Sequence, residues 1–481
     1  MDYESVIGLE THCELLTESK LWCPCSTRFG QPPNSQTCPV CLGLPGALPV
    51  LNVRAFELAL QAALALGCTV NRTTFFDRKN YYYPDLPKNY QISQNTCNLG
   101  IDGALTIRVD GQPLRVGITN VHLEEDAGKN LHAGVPGADY SLVDLNRACM
   151  PLLEVVSAPD MRTVQQADAY MQALRRTLLH NRVSDCKMQE GSLRFEASIS
   201  MRPAGAQTLG ARVEIKNLNS MKAVRSALEY EIARQSRRLA AGEPVAQETR
   251  LWDETAGRTA RMRTKEEAHD YRYFPDPDLL PVQITDEMLE RVRTRLAEAP
   301  VERRERFQRD HGLSAYDADV LTDLREVADY FEQCLETHNA PKSLANWIMN
   351  LVLAQLNERR IGIEEFELGP ERLAGLVRLL DAGTINAAVA RDLMARMIET
   401  GRDAAALVAE DGLEQVNDES ALEPVVRQVV AENPDVVRDY HAGRKQAVGP
   451  LVGQVMRLTG GKADPRLANT MLRAVLDSMK P

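Results

Sequence analysis

The chain has 481 residues, 44% hydrophobic and 26% charged, with a formal net charge of −11. That length is too great for one core and implies roughly two to four domains. The acidic balance argues against a broad nucleic-acid-binding coat, though not against a local basic patch. No apolar run reaches a membrane span and the N-terminal stretch does not read as a secretory signal, so a cytoplasmic protein is expected.

Residues 5–15 alternate with period two. A strand there places Glu10, His12 and Glu14 on one face and Leu9, Thr11 and Cys13 on the other. Two carboxylates flanking an imidazole suit Mg²⁺ or another hard divalent ion. A solvated polar face is the alternative.

Next come Cys23 and Cys25, a loop rich in Gly, Pro, Ser and Asn, then Cys38 and Cys41. CxC and CxxC pairs at this separation can converge on one tetrahedral zinc. Free core thiols or two disulfides are the alternatives. Four thiolates leave no open coordination position, so a structural site is expected. The other six cysteines (Cys13, Cys68, Cys97, Cys149, Cys186 and Cys334) lack paired spacing, which suits a reducing compartment.

Residues 52–66 read as a helix, with Asn52 as N-cap, a stripe of Phe56, Leu60, Ala63 and Leu64, and Gly67 as terminator. Residues 77–94 combine Arg78, Lys79, Lys88 and four tyrosines in a loop broken by prolines. Such a loop offers cations and stacking surfaces to a nucleotide or a tRNA end, or is ordinary packing. Residues 121–129 hold Glu124, Glu125 and Asp126 in succession, beside His122 and Lys129, and Glu154 ends the run PLLE.

Helices are expected over 163–181 and 219–240, and strands over 192–202 and 212–218. The first of these strands places Ser192, Arg194, Glu196, Ser198 and Ser200 on one face. The second alternates Glu214 and Lys216 with apolar residues. A sheet face rich in carboxylates with a few cations matches the needs of a metal–nucleotide site, where ions neutralise phosphate oxygens. No Walker A loop, kinase glycine motif or GxSxG occurs. Phosphoryl transfer on some other fold is the reading.

After Pro281 the pattern becomes helical. Residues 401–440 carry three basic and ten acidic residues, whereas 441–481 carry seven basic and two acidic. Three domains are expected: 1–290 as the catalytic body with the zinc site, 291–404 as a helical connector, and 405–481 as a small helical tail.

These segments together resemble the B-subunit (GatB) family of the aspartyl/glutamyl-tRNA amidotransferases. The carrying motifs are VIGLETHCEL (6–15), CPVCLGLPGALPVLN (38–52), FDRKNYYYPDLPKNYQISQ (76–94), VHLEEDAGK (121–129), VDLNRACMPLLEVVSAPD (143–160), QEGSLRFEASISMRP (189–203), VEIKNLNS (213–220), KEEAHDYRYFPDPDL (265–279) and LVGQVMRLTGGKADP (451–465). The resemblance implies an α+β fold: a cradle similar to glutamine synthetase and guanidino kinases, a helical domain and a small helical tail domain. It implies a ligase. ATP phosphorylates the side-chain carboxylate of Glu-tRNA(Gln) or Asp-tRNA(Asn), and ammonia channelled from the glutaminase (GatA) then displaces the phosphate. A small third protein (GatC) completes a heterotrimer.

By the same resemblance, Glu10, His12, Glu124, Glu125, Glu154, Glu196 and Glu214 line the kinase-like site, with His12, Glu125 and Glu154 holding Mg²⁺. Lys79, Ser192, Arg194 and Lys216 contact phosphate or substrate carboxylate, Lys88 and Glu125 lie where ammonia arrives, and Cys23, Cys25, Cys38 and Cys41 hold zinc. The basic tail, through Arg457, Lys462 and Arg466, is expected to hold the tRNA body.

Several positions depart from the family pattern, Phe195 among them. Glu196 stands for the usual Asp in RCDANVS, Ala158 for Glu in SEPD, and Cys149 for Gly. The last implies that the turn there does not need a strongly glycine-only conformation, or that it has shifted. An inert tRNA scaffold and a free-standing small-molecule ligase are the competing functions. The carboxylate-rich face disfavours the first. The helical region and basic tail disfavour the second.

Overall fold

The structure is a computed structural model that describes residues 3–132, 140–264, 270–413, 419–460 and 463–479. It separates into two compact units, Met1–Arg303 and Arg304–Pro481. The first combines a large sheet with helices and the second is helical, so the chain is α+β.

The sheet of the first unit is built on a long central strand, β1 (Tyr3–Glu14). The other strands that matter here are β2 (Asp77–Asn80), β3 (Tyr90–Ser93), β4 (Gly100–Val109), β5 (Gln112–Glu125) and β6 (Pro151–Ser157). They continue with β7 (Leu193–Pro203), β8 (Val213–Lys216), β9 (Glu248–Asp253) and β10 (Arg258–Thr264). The spatial order is β10-β9-β8-β7-β1-β6-β5-β3-β2, with β4 also paired to β5. All these pairings are antiparallel except β8 with β9.

One face of the sheet is apolar. Leu9, Leu153, Val155, Phe195, Ala197 and Ile199 are buried against α1 (Val53–Ala65), α2 (Val164–His180) and α3 (Met221–Ala240). The other face is polar and half-buried, as expected for an antiparallel sheet covered on one side. The helix over 52–66 is α1, but burial goes beyond a stripe, since Leu58, Ala59 and Ala62 are enclosed too. Asn52 caps α1 by accepting from Arg54 N at 2.9 Å and Ala55 N at 3.2 Å, and its amide donates to Ser19 O and Lys20 O. The cap therefore ties α1 to the base of the cysteine segment. Such a cap is worth about 1 kcal/mol.

At Cys149 the turn favours glycine without requiring it. The residue adopts φ +67°, the left-handed conformation that glycine favours, although it carries a side chain. Holding a non-glycine residue there costs about 1–2 kcal/mol. Burial of its side chain beside Lys88 and Glu125 accompanies that strain.

The second unit carries two separate apolar clusters. One gathers Phe331, Leu344, Ile348, Leu376 and Leu393. The other gathers Val426, Leu451, Val455, Leu472 and Leu476. Among the described residues, no helix is long and apolar enough to cross a membrane.

Candidate functional site

The register of the sheet builds one row across four strands. Arg194 faces His12, His12 faces Glu154, and Glu154 faces His122. Period-two alternation sets all four side chains on the polar face. Glu124, two residues after His122, joins them. His12 Nε2 lies 3.3 Å from Glu154 Oε2 and 3.8 Å from Glu124 Oε1. His122 Nε2 lies 3.3 Å from Glu154 Oε2 and 3.7 Å from Glu124 Oε2.

Burial opposes charging either imidazole, but the two carboxylates outweigh it. They raise the His12 pKa and bring that of His122 to about 10. Burial likewise disfavours an ionised Glu154, yet the two histidines hold its carboxyl far below the ordinary range.

His12, Glu124 and Glu154 offer ligand atoms within 4.8 Å of one another. One imidazole nitrogen and two carboxylates form a donor set suited to a hard divalent cation. The expected trio was His12, Glu125 and Glu154; the structure brings Glu124, not Glu125, to the other two. Adjacent residues of a strand point to opposite faces, so Glu124 joins His12 and Glu125 turns away.

Glu125 is 1% exposed and bonded to Lys88 Nζ at 2.5 and 2.6 Å, and its Oε1 also accepts from Ile92 N at 2.8 Å. Cys149 Sγ lies 3.6 Å from the same ammonium. Removing one member of a buried ion pair strands the other, at a cost of about 3–5 kcal/mol. Lys88→Met should destabilise the protein by that amount in denaturant titrations. Adding Glu125→Leu should recover most of the loss.

The row opens into a cavity of about 470 Å³ that also takes in Glu10, Lys79, Asp126, Glu196 and Lys216. Lys216 pairs with Glu196 at 2.7 Å, and Arg194 donates to Asp126 Oδ2 at 2.7 Å. Arg212 reaches Glu10 at 3.0 Å and Glu214 at 2.8 Å. Lys79 lies 5.1 Å from the Tyr271 ring centre. Burial opposes its charge, but Glu124 and its neighbours hold its pKa above the usual lysine value.

Besides Glu125, two expected members stand apart from this cavity. Glu214 lies beyond it, engaged by Arg212 and Thr249. Ser192 precedes β7 in a turn, where its hydroxyl donates to Asp185 and accepts from Lys187 N. His122, Asp126 and Arg212 were not among the predicted site residues. For His122 the signal was available, because it shares strand parity with Glu124.

The four cysteines Cys23, Cys25, Cys38 and Cys41 form a second cluster, also with sulfurs within 4.8 Å of one another. No disulfide joins any two of them. A hydrogen bond from Cys23 draws the Cys41 thiol down to about 5 against its burial, with help from Cys38 N–H and Lys20. Lys20 is fully buried and donates to Gln36 O at 2.8 Å and Leu145 O at 3.3 Å. Four converging sulfurs beside one buried cation are compatible with a structural zinc.

In the second unit, Arg457 ends the helix Val448–Leu458 and Arg466 lies in the first turn of Pro465–Ser478. Both are exposed, and neither side chain has an ion-pair partner among the described residues. Lys462 lies outside the described residues.

Comparison with known proteins places these features in a family. The GatB/GatE catalytic domain matches residues 5–290, and the GatB domain matches 329–476. The B subunit of an aspartyl/glutamyl-tRNA(Asn/Gln) amidotransferase from Thermoanaerobacter pseudethanolicus is 50% identical over 476 residues, 99% of this chain and 100% of the relative. The corresponding protein of Moorella thermoacetica is 52% identical over 473 residues, 98% of this chain and 99% of its own. That of Carboxydothermus hydrogenoformans is 51% identical over 473 residues, 98% of each chain. The chain belongs to the B-subunit family of the aspartyl/glutamyl-tRNA(Asn/Gln) amidotransferases.

Proposed function

We propose that the polar face of the sheet is where the side-chain carboxylate of a mischarged Glu-tRNA(Gln) or Asp-tRNA(Asn) is phosphorylated and then amidated. As a family member, the chain is one component of a tRNA-dependent amidotransferase, a ligase that forms carbon–nitrogen bonds with glutamine as amide donor. The observation that carries the site assignment is the His12–Glu124–Glu154 cluster, centred among Lys79, Arg194 and Lys216 in one cavity.

In this reading the substrate carboxylate attacks the terminal phosphorus of ATP and ADP leaves. Ammonia then attacks the acyl carbon and phosphate leaves. His12, Glu124 and Glu154 would hold Mg²⁺, which when bound neutralises phosphate oxygens and orients them. Lys79, Arg194 and Lys216 supply cations for the phosphoryl oxygens and the reacting carboxylate. Glu10 and Glu196 hold Arg212 and Lys216 in place. An apolar slot of about 220 Å³ beside Val6, Gly8, Val156 and Leu209 suits the nucleotide base.

The antiparallel sheet with one polar face supports a cradle of the glutamine synthetase and guanidino kinase type. In this reading ammonia from the glutaminase GatA reaches the site beside the buried Lys88–Glu125 pair, with GatC completing a cytoplasmic heterotrimer. The cysteine cluster holds structural zinc. Divisions at 1–290, 291–404 and 405–481 separate the catalytic, connecting and tRNA-holding parts.

The tail's role draws on its surface. Gly449, Gly453 and Arg457 follow at four-residue spacing along one helix, all exposed, and nothing packs on either glycine. A smooth helical face ending in a free cation permits close approach to a phosphate backbone. Deleting residues 414–481 should weaken tRNA binding and lower its salt slope by about 2, since fewer counterions are released. Zinc content should not change. An unaltered tRNA Michaelis constant would assign the tail another task.

The deciding experiment assays the complex reconstituted with GatA and GatC on each mischarged tRNA, with and without ATP and Mg²⁺. Amidation that requires both is the expected result. Amidation without ATP would refute carboxylate phosphorylation.

A further inference from the structure

The polar face of β1 does not end at His12. Glu14 lies two residues on, in the lining of a second cavity of about 630 Å³ that also holds Arg28, Phe29, Arg147, Met150 and Met188. Asp126 stands between the two cavities, bonded to Arg194 at 2.7 Å and 3.4 Å from Arg147 Nε. Arg194 lines both.

Three features of this second cavity are not fully satisfied within the protein. Among the described residues, no hydrogen bond or ion pair within contact distance reaches the Glu14 carboxylate; burial and Asp126 raise its pKa to about 7, and Arg147 and Arg194 offset this only through space. Arg194 Nε is buried with no hydrogen-bond acceptor. Phe29 presents its ring at the wall with 69% of its surface exposed. A free carboxylate asks for a cation, a buried N–H for a carbonyl, and an exposed ring for a flat apolar surface. The aminoacyl end of a charged tRNA carries all three: an α-ammonium, an ester carbonyl and a terminal base.

Spacing supports this match. Two residues along a strand advance about 7 Å, comparable to the reach of an extended glutamyl side chain from its carboxylate to its α-nitrogen. A side-chain carboxylate at His12 and Glu154 thus leaves the α-ammonium near Glu14. The slot suited to the nucleotide base adjoins Gly8 and Glu10, toward the other end of the same strand face. The two substrates therefore approach from opposite ends.

We propose that the second cavity receives the aminoacyl end of the charged tRNA, with Glu14 binding its α-ammonium, Arg194 Nε its ester carbonyl and Phe29 its terminal base. This rests on the amidotransferase reading above and adds a specificity determinant to it. Glu14 checks that the incoming amino acid has a free amine, while the metal-binding cluster receives its side chain.

The test uses the complete amidotransferase with Glu-tRNA(Gln) bearing a free α-amine and with its N-acetyl derivative. Wild type should amidate the free-amine substrate with kcat/KM about tenfold or more above that for the acetylated one, as expected for a charge-assisted contact. Glu14→Gln should lose most of that preference by slowing the free-amine reaction, with deacylated tRNA binding unchanged. Phe29→Ala should raise KM for both substrates about equally and keep the preference. Equal kcat/KM for the two substrates in wild type overturns the proposal, and this comparison needs no variant to fold. A Glu14→Gln enzyme that keeps the wild-type preference also overturns it. No amidation of the free-amine substrate by wild type would instead strike the amidotransferase reading itself.

Discussion

Replacing Glu154 by glutamine should lower ATP-dependent amidation by about a hundredfold or more while tRNA affinity stays within about twofold of wild type. Glu154 is the acid shared by His12 and His122, at 3.3 Å from each. Glutamine keeps the shape and loses the charge, so the proposed metal would be left with one carboxylate and an imidazole. In the proposed reading the tRNA body is held by the tail, so the loss should appear in kcat and not in binding.

A second readout needs no substrate. The folded-state pKa of His122, about 10, lies above its unfolded value. Its contribution to stability is therefore fully present below about pH 6.5 and is lost as pH rises through 10. In Mg²⁺-free buffer the wild type should lose stability across that window. Glu154→Gln removes one of the two acids responsible, so its curve should be flatter and its His122 titration should move toward neutral pH. Near wild-type amidation by Glu154→Gln would remove this residue from the site.

How far the sequence could be read depended on contrast between strand faces. In β1, buried and half-buried residues alternate strictly from Gly8 to Glu14, so Glu10, His12 and Glu14 were assigned to one face from periodicity alone. At the end of β5 that contrast fails. Leu123, Glu124 and Glu125 are all buried, and two adjacent carboxylates look equivalent in the sequence. Counting from His122 would have separated them, because residues two apart share a face. Ser192 was misplaced for a related reason. It has the parity of Arg194 but precedes the strand, where a turn redirects its hydroxyl to Asp185.

The second cavity was beyond sequence reading altogether. It depends on the loop carrying Arg28 and Phe29 lying beside Glu14 and Met188, residues more than a hundred and fifty positions apart at the extremes. Cys149 shows the same limit at one residue. Its identity excluded only a strongly glycine-only turn, and the fold keeps the left-handed conformation there and tolerates the strain.

Replacing Cys38 by serine should lower the melting temperature and the zinc content together, with a stability loss of at least about 3 kcal/mol. Ligation of zinc by four thiolates is itself folding free energy, because no such site exists in the unfolded chain. The effect should also reach the active region. Gln36, between the cysteine pairs, accepts from the buried Lys20. Gly43, just past the second pair, packs against Lys88 so closely that a β-carbon there would collide with it. The loop between the pairs walls the second cavity through Arg28, Phe29 and Gln36. Loss of zinc should therefore loosen the Lys88–Glu125 pair and the cavity as one event. Amidation should fall through a raised KM for charged tRNA before the protein unfolds globally, with ATP binding less affected. Metal analysis of freshly purified protein decides the first step. Wild-type protein without zinc, or a Cys38→Ser variant with unchanged melting temperature, would mean that the cysteines are held by packing alone.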